Sequence, residues 1–465
     1  MSIAQALPQP AVRVFDAWNH QLEAYHFAHD KRAAMLAMAM GTGKSKVASD
    51  LLVNRGHRKI LVLAPASVLA VWRRELATHA PQIGDVLILD GSYGSVKDKT
   101  EAAALTAHIT NRTVVVVINY ESARCEAFAQ WAVKQRWDLV VCDESHRLKS
   151  AQGKASKFVA TLGESAGTRL CLTGTPMPHS PLDVFGQYRF LDPSIFGKYY
   201  TKFRARYAVG HKMFPSKVVK WINQDELHEK MFRIAYKVGA DVLDLPPVMH
   251  ERRTFKLDND AFGVYRDLRD EMIAQISRGE VRVDNALVKL LRLQQITSGF
   301  VVNGEGEEIE LDRGKRLLLS DLLSDLDKDE PVVVFCRFKR DLETVRQVCL
   351  EHGRRFGELS GRQKDLTEHA RMPESVDVLA VQWQSGGVGI DLTRAAYCVM
   401  FSQTFSLGDY DQALARTHRP GQLRTVRYYH LIADGTVDEH VYDALSKRRE
   451  VVEAVLSDFL EENKI

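Results

Sequence analysis

Residues 38–46 form the first motif with the residue types of phosphate chemistry. They read Met-Ala-Met-Gly-Thr-Gly-Lys-Ser-Lys and lie between an apolar run and a helical pattern. The glycines allow backbone N–H groups to turn toward a phosphate, Lys44 can reach the β- and γ-phosphates, and Ser45 offers an oxygen to magnesium. Met38 stands in place of the usual first glycine, so the motif taken alone also fits a chance match. We predict a phosphate-binding loop.

An acidic pair follows a second apolar run, residues 137–142. Asp143 and Glu144 are therefore predicted at the carboxyl end of a buried strand, which is where parallel α/β sheets place their ligands. Asp143 is suited to hold the magnesium ion that Ser45 also contacts, and Glu144 is suited to orient and deprotonate an attacking water. Such a pair can also serve solubility alone, but after a Gly-Lys-Ser loop the catalytic interpretation is favoured.

A pair of arginines lies far along the chain, within residues 411–422. Arg416 and Arg419 are three residues apart, so a helix would place them on one side. Two arginines directed at a γ-phosphate would stabilise the charge that develops in phosphoryl transfer. Surface salt bridges are the alternative, and they are the commoner fate of paired arginines considered in isolation.

Alternating strands and helices are predicted to position these residues. Apolar runs predict strands at 33–37, 59–65, 113–119, 137–142 and 169–173 in the first half, and at 331–336, 376–381, 397–401 and 428–432 in the second. Alternation of such runs with amphipathic helices predicts parallel sheets covered on both faces. The paired prolines of Asp244-Leu-Pro-Pro247 cannot continue a helix, so we place the boundary between two α/β units there.

Three helical stretches complete the pattern. Residues 193–237 are predicted to be helical and are strongly basic with interleaved aromatics, which fits either a contact with a phosphate backbone or a solvated face. Residues 255–300 are predicted to be helical with a leucine-rich face, and residues 437–459 form an amphipathic stretch at the C-terminus. No inserted hairpin that could separate nucleic-acid strands stands out in the sequence.

Composition sets outer limits on the class of protein. The chain has 465 residues, 45% of them apolar, and a net charge of +3, which by itself does not indicate a nucleic-acid binder. The N-terminus lacks the pattern of a signal peptide, and the longest apolar run, residues 60–72, is too short to span a bilayer. Cysteines within apolar strand-like runs favour a reducing compartment. We expect a cytoplasmic protein without a membrane partner.

The motifs together resemble the Swi/Snf-type branch of the superfamily-two helicase-like ATPases. The similar blocks extend from Gln21 to about Glu439 and include DLVVCDESHRLKS, QSGGVGIDLTRAA and DQALARTHRPGQ. The last block is the most specific, because the paired arginines followed by His-Arg-x-Gly-Gln distinguish this branch from the DEAD-box enzymes. The compact plan is similar to that of prokaryotic or phage members, which implies the cytoplasm of a prokaryotic or phage-infected cell.

The resemblance implies an α/β fold of two RecA-like parallel-sheet lobes with short helical insertions and a C-terminal helix. ATP and Mg²⁺ would bind between the lobes, and double-stranded DNA would lie across both with little sequence specificity. Other DNA-processing proteins are expected as partners, and a membrane is not. The implied ranges are lobe 1 at 1–240 with an insertion at about 182–237, and lobe 2 at 241–465 with an insertion at about 255–300, the arginine motif at 411–422 and a helix at 437–460.

The resemblance also implies site residues. The nucleotide site would comprise Gln21, Gly41, Thr42, Gly43, Lys44, Ser45, Asp143, Glu144, Arg416 and Arg419, with Ser45 and Asp143 on the metal. Gln21 either pairs with an adenine edge or is an ordinary polar helix residue. One strand of DNA would be contacted by Ser67, Asn119, Tyr120, Arg337, Ser360, Gly361, Ser385 and Gly386.

Three functions follow from these expectations. The leading one is a DNA-stimulated ATPase that translocates on duplex DNA. The second is a strand-separating helicase that acts on DNA or RNA. The third is a nucleic-acid-binding scaffold with an inactive ATP site, which the presence of Lys44, Asp143, Glu144 and Arg419 disfavours.

Overall fold

The computed structural model describes residues 17–107, 112–178, 180–210, 218–277, 283–385 and 389–447. Contacts between Cα atoms divide the chain into two units, Met1–Leu243 and Asp244–Ile465. Each unit has a parallel β-sheet at its centre with helices packed against it.

The first unit alternates strands and helices over most of its length. Its strands are β1 (Ala33–Met38), β2 (Lys59–Ala64), β3 (Asp85–Leu89), β4 (Val114–Asn119), β5 (Leu139–Asp143), β6 (Thr168–Thr173), β7 (Ala208–Gly210), β8 (Val218–Trp221) and β9 (Ala235–Val238). Its helices are α1 (Asn19–His29), α2 (Lys44–Asn54), α3 (Leu69–His79), α4 (Val96–Ala107), α5 (Tyr120–Ala123), α6 (Glu126–Lys134), α7 (Lys154–Ser165), α8 (Val184–Leu191), α9 (Pro193–Phe196), α10 (Tyr200–Tyr207) and α11 (Gln224–Phe232).

Seven of these strands form one sheet in the order β3-β4-β2-β5-β6-β1-β9, and every neighbouring pair is parallel. The interior strands β1, β4 and β5 are buried along their whole length. Because all strands run the same way, their carboxyl ends lie at one edge of the sheet. The loop after β1 and the acidic pair at the end of β5 therefore share that edge.

The second unit repeats this plan. Its strands are β10 (Val248–Phe255), β11 (Phe300–Val302), β12 (Glu308–Glu310), β13 (Val332–Cys336), β14 (Phe356–Leu359), β15 (Val378–Gln382), β16 (Tyr397–Met400) and β17 (Val426–Ala433). Its helices are α12 (Asn259–Ser277), α13 (Val283–Thr297), α14 (Gly314–Ser324), α15 (Lys339–Glu351), α16 (Leu407–Thr417) and α17 (Val437–Ser446). Six strands form a parallel sheet in the order β10-β17-β16-β13-β15-β14.

The prediction of two parallel-sheet α/β lobes is confirmed, and all nine predicted strands are present. Four short or partly exposed strands of the two sheets were missed, namely β3, β9, β10 and β14. All four lie at sheet edges. An edge strand has one open side and is less completely covered, so its sequence lacks the continuous apolar run by which the interior strands were recognised.

The prediction that the basic stretch 193–237 is helical was wrong in part. Beside α9, α10 and α11, it contains the antiparallel pair β7–β8 and the strand β9, which pairs with β1 in the main sheet. A second antiparallel pair, β11–β12, lies in the second unit. The expectation that no inserted hairpin is present is therefore corrected as well. These strands have three or four residues each, which is too short for a period-two pattern to be visible.

The predicted helical stretch 255–300 contains α12 and α13, and Phe255 itself belongs to β10. The predicted C-terminal helix begins at Val437 as α17, which ends at Ser446, and residues 448–460 of that prediction lie outside the described residues. Within the described ranges, no helix is long and apolar enough to cross a membrane.

A buried ion pair joins three helices of the second unit. The side chains of Lys315 and Asp438 are 1% and 0% exposed, and Lys315 Nζ lies 2.6 Å from Asp438 Oδ2. Thr297 at the end of α13 also donates its hydroxyl to Asp438 Oδ1 at 2.9 Å. One carboxylate thus connects α13, α14 and α17, and loss of the cation would leave it charged and uncompensated.

We expect Lys315→Met to lower the free energy of unfolding of the second unit by about 3–5 kcal/mol, the cost of leaving a buried charge without its partner. The measurement is hydrogen–deuterium exchange of the full chain by mass spectrometry, which follows the two units separately. Lys447→Met is the control, because its ion pair with Asp443 is largely exposed, with 61% and 45% of the two side chains accessible, and should change stability by less than about 1 kcal/mol. Equal exchange in the two variants would contradict the prediction.

Candidate functional site

The loop after β1 is folded back over the end of that strand. Gly41 and Gly43 have φ values of 81° and 85°, a left-handed conformation that favours glycine. Lys44 begins α2, and its ammonium group donates to the carbonyl oxygens of Met38 at 2.9 Å and Ala39 at 3.2 Å. The N-terminus of α2 and the Lys44 ammonium group therefore lie at the carboxyl edge of the sheet, as a phosphate-binding loop requires.

Gln21 of α1 braces this loop. Its Nε2 donates to the carbonyl of Thr42 at 3.0 Å, and its Oε1 accepts from Trp18 N at 3.0 Å. A Cβ atom at position 43 would lie 2.1 Å from Gln21 Nε2, so a larger residue there would displace the Gln21 side chain as well as strain the left-handed backbone. Thr42 is buried and donates its hydroxyl to Ala39 O. One N–H and the oxygen of the Gln21 amide are thus used within the protein, and its pairing with an adenine edge stays a prediction.

Asp143 at the end of β5 is buried and held by several groups. Trp72 of α3 donates its indole N–H to Oδ2 at 2.8 Å, and Glu144 N donates to Oδ1 at 2.9 Å. Tyr120 donates its hydroxyl to the Asp143 carbonyl at 2.8 Å. Burial and the neighbouring Glu144 carboxylate raise the pKa of Asp143 to about 6, whereas the Trp72 hydrogen bond and the charge of Lys44 lower it.

Glu144 has a φ of 48°, in the left-handed region that non-glycine residues seldom adopt. The strand ends there, and the chain turns into a 3₁₀ segment, Ser145–Leu148. Glu144 Oε2 lies 3.3 Å from His146 Nδ1, which in turn lies 3.3 Å from Thr173 Oγ1 at the end of β6. The ends of β5 and β6 are therefore connected through His146, at the hydroxyl-rich segment after β6.

The residues at this edge fit a magnesium–nucleotide complex. Ser45 is the second residue of α2, beside Lys44, and Asp143 supplies a carboxyl group at the same edge of the sheet. Among the described residues, no group of three or more His, Cys, Asp or Glu side chains could hold a metal by itself. Mg²⁺ is commonly held by one or two protein oxygens together with substrate phosphates and water, which matches this sparse donor set.

The two arginines of the second unit are not on one helical face. Arg416 is in the last turn of α16, which ends at Thr417, and Arg419 lies beyond the helix, so helical spacing does not place the two side chains together. Both arginines are instead hydrogen-bonded to the segment that follows β15. Leu392 N donates to the Arg416 carbonyl at 3.0 Å, and the Arg419 guanidinium donates to Ile390 O at 3.3 Å.

The predicted nucleic-acid residues of the first unit differ in exposure. Ser67 is exposed in a 3₁₀ turn, Ala66–Val68, directly after β2. Asn119 is buried and donates its amide to Glu121 at 3.1 Å. Tyr120 is also buried, with its hydroxyl bonded to Asp143 O. The structure therefore places the Asn119 and Tyr120 side chains inside the lobe, and a nucleic-acid contact at these two positions stays a prediction.

The predicted nucleic-acid residues of the second unit lie in loops that follow its strands. Arg337 follows β13 and stacks its guanidinium on the Phe405 ring at 4.6 Å. Ser360 and Gly361 follow β14, where the Ser360 hydroxyl donates to Glu358. Ser385, after β15, is half-buried, and Gly386 lies outside the described residues.

Three further side chains were not predicted to act at these edges: Trp72, His146 and Trp383. Trp383 stacks on Phe335 at 5.0 Å and donates its indole N–H to the Ser402 carbonyl at 2.7 Å, which ties the loop after β15 to the end of β16. A buried indole N–H usually has a hydrogen-bond acceptor, so a tryptophan within an apolar stretch of the sequence indicates that such a partner exists. The identity of that partner could not be derived from the sequence.

Comparison with known proteins supports the resemblance to the Swi/Snf-type ATPases. A family model described as the SNF2-related domain matches residues 14–299, and one described as the helicase conserved C-terminal domain matches residues 314–421. The uncharacterized ATP-dependent helicase of Mycoplasma pneumoniae is 25% identical over 443 residues, which cover 92% of this chain and 40% of that protein. The human DNA annealing helicase and endonuclease ZRANB3 is 24% identical over 440 residues, covering 91% and 39%.

The chain thus spans about two fifths of the length of these two relatives. Among solved structures, the Sulfolobus solfataricus SWI2/SNF2 ATPase core in complex with double-stranded DNA aligns over 99% of this chain and 97% of that chain, with 21% identity and a TM-score of 0.46. The SNF2-related model covers more than half of the chain and is followed by the helicase C-terminal model. The resemblance to Swi/Snf-type helicase-like ATPases is confirmed, and the chain belongs to the SNF2-related family.

Proposed function

We propose that this chain is a DNA-stimulated ATPase that translocates on double-stranded DNA. The observation that supports this most is the carboxyl edge of the first parallel sheet, where Lys44 begins α2 after β1 and the buried Asp143 ends β5. This pairing brings a phosphate-binding cation and a magnesium-binding carboxylate to one place. Membership of the SNF2-related family supports the same activity.

The proposed mechanism assigns one role to each group. Lys44 and the N–H groups at the start of α2 bind the phosphates, while Ser45 and Asp143 would hold Mg²⁺, which supplies positive charge to the transferred phosphoryl group when bound. Glu144, directly after Asp143 at the end of β5, accepts the proton of the attacking water. The charge is completed by Arg416 and Arg419, which we infer approach the phosphates from the second unit.

Movement along DNA would follow from alternate closing and opening of the two units around the nucleotide. We infer that residues such as Ser67 and Arg337 contact one phosphate backbone, which predicts little sequence preference. Strand separation remains the second candidate function, because the described residues contain the two short antiparallel pairs β7–β8 and β11–β12, and a wedge at a fork requires such an element.

Substitutions of Lys44 and Arg419 should have different effects. Lys44→Ala removes a phosphate ligand and should weaken ATP binding together with turnover. Arg419→Ala should leave ATP binding largely intact and lower turnover by about a thousandfold, the value of an arginine finger in other phosphoryl-transfer enzymes. ATP binding is measured by equilibrium titration and turnover by phosphate release. Arg266→Ala, at a 56% exposed arginine of α12, is the control, and an Arg419→Ala protein with normal turnover would exclude the proposed role of Arg419.

Trp72→Phe should alter the metal dependence of the reaction. The change retains most of the ring but removes the hydrogen bond to Asp143 Oδ2. Loss of a group that orients a metal ligand typically lowers metal affinity or activity by about 10–100-fold. The Mg²⁺ concentration at half-maximal turnover should therefore rise by this order.

Trp131→Phe is the matched control for Trp72→Phe. Trp131 packs against Phe128 and Trp137 in the same unit, so the control makes the same chemical change away from Asp143. An unchanged Mg²⁺ requirement in Trp72→Phe, with circular dichroism showing an intact fold in both variants, would argue against a role for Trp72 in placing the carboxylate.

The nucleic-acid substrate is tested by comparing turnover with duplex DNA, single-stranded DNA and RNA, with Glu144→Gln as the inactive blank. We expect duplex DNA to stimulate most, and its affinity to fall steeply between 50 and 200 mM salt, as backbone contacts require. Stimulation by single strands together with strand release from a tailed duplex would favour the helicase alternative. Absence of turnover with every nucleic acid would favour the inactive scaffold.

A further inference from the structure

A cavity of about 330 Å³ lies in the first unit, away from the nucleotide edge. It is bordered by α7, the beginning of β6, the end of α8 and the segment around α9. Arg169, the second residue of β6, lines it, whereas Thr173 at the other end of β6 lies beside His146 at the nucleotide edge. The cavity therefore opens near the amino ends of the strands, opposite the phosphate-binding loop.

The charges around this cavity are unbalanced. Four cationic side chains line it, Lys157, Arg169, Arg189 and Lys198, against the single carboxylate of Glu164. Among the described residues, no ion pair joins any of these five groups to another side chain. Four cations against one carboxylate give the lining of this cavity a net positive charge, which favours an anion there.

The two arginines have buried donors without acceptors. Arg189 donates through Nη2 to the Ala151 carbonyl and the Ser156 hydroxyl, both at 2.9 Å, yet its buried Nε finds no acceptor among the described residues. The buried Nε of Arg169 is also without an acceptor there, and the Arg169 side chain makes no hydrogen bond to a described residue. Buried donors are normally satisfied, so each of these two Nε groups can take a further acceptor.

Other nearby groups do not supply this acceptor. Asp192 is close enough to influence the pKa of Arg169, but among the described residues neither a hydrogen bond nor an ion pair joins the two side chains. Burial lowers the pKa of both Arg169 and Arg189, as expected for guanidinium groups without a counter-charge in contact.

The wall of the cavity is closely packed. A Cβ atom at Gly163 would lie 2.8 Å from the Phe190 ring and 2.9 Å from the Phe190 carbonyl, so α7 and α8 approach each other at this glycine. The guanidinium groups are thus carried by regular elements in close contact rather than by a long loop. Such placement reduces the entropy that binding would cost.

We propose that this cavity binds a small phosphate-bearing anion, with the guanidinium groups of Arg169 and Arg189 as donors and Lys157 and Lys198 as counter-charges at its exposed rim. The planar guanidinium group matches the geometry of phosphate oxygens. The volume accommodates orthophosphate or a terminal phosphomonoester. Glu164 and Asp192 add negative charge nearby, which disfavours an extended polyanion that would run past them. This site is separate from the nucleotide site and does not depend on the proposed motor function.

The test is isothermal titration of the full-length protein with sodium phosphate, at an ionic strength held constant with sodium chloride. Because phosphate can also bind the loop at Lys44, the titration is made in a Lys44→Ala background. We expect binding to persist there, to weaken at least tenfold on adding Arg169→Met, and to be unchanged on adding Arg136→Met, a control at an exposed arginine of the same unit. Equal affinity with and without Arg169→Met, or loss of all binding in Lys44→Ala alone, would overturn the proposal.

A second variant controls for the possibility that Arg169→Met weakens phosphate binding by disturbing the fold. Lys157→Gln with Lys198→Gln changes only exposed side chains, and we expect it to weaken phosphate binding several-fold with an unchanged circular dichroism spectrum. A 5′-phosphorylated dinucleotide and its unphosphorylated form then distinguish the sources. Binding of the phosphorylated form alone identifies a phosphomonoester end, binding of orthophosphate alone identifies the free ion, and equal binding of an unphosphorylated DNA duplex would overturn the small-anion assignment.

Discussion

The burial of the Asp143 carboxyl at the end of β5 is the constraint on which the first unit depends. A carboxylate removed from water must be compensated, and here the compensation comes from Trp72, the Glu144 N–H and the charge of Lys44. Each of these groups arrives on a different element: α3, the turn after β5, and α2. The buried acid therefore connects the phosphate-binding loop to the helix that follows the exposed turn at Ser67. We infer that this connection relates a backbone contact to the nucleotide site.

The second unit has a comparable arrangement at the same edge of its sheet. Asp341 of α15 is buried, and burial raises its pKa to about 6 although its Oδ2 accepts from Ser402 Oγ at 2.5 Å and Phe338 N at 3.0 Å. Ser402 in turn receives the Arg337 N–H and its carbonyl receives the Trp383 indole. The loops after β13, β15 and β16 are thus joined by one hydrogen-bonded group. In both units, a buried acid fixes loops that no regular element holds.

Polar groups are distributed differently across the two edges of the first sheet. At the carboxyl edge, the buried side chains of Asp143, Gln21 and Thr42 are hydrogen-bonded to other side chains or to backbone groups. At the opposite edge, the arginines around the α7–α8 cavity retain buried donors without acceptors. These two arrangements have different consequences. Hydrogen-bonded side chains make the carboxyl edge rigid, whereas the unsatisfied arginine donors at the opposite edge favour binding of an acceptor.

The sequence by itself determined the interior strands, the phosphate-binding loop and the acidic pair. A strand that is buried on both faces of a parallel sheet needs a continuous apolar run, and a left-handed backbone conformation favours glycine at position 43. Both features can therefore be recognised in a short stretch of sequence. Only the tertiary structure decided the edge strands, the end of α16 before Arg419, and the inward orientation of Tyr120. It also decided the partners of Trp72, Gln21 and Trp383. These features depend on contacts between residues far apart in the chain, and no local pattern records which distant group fills a given hydrogen bond.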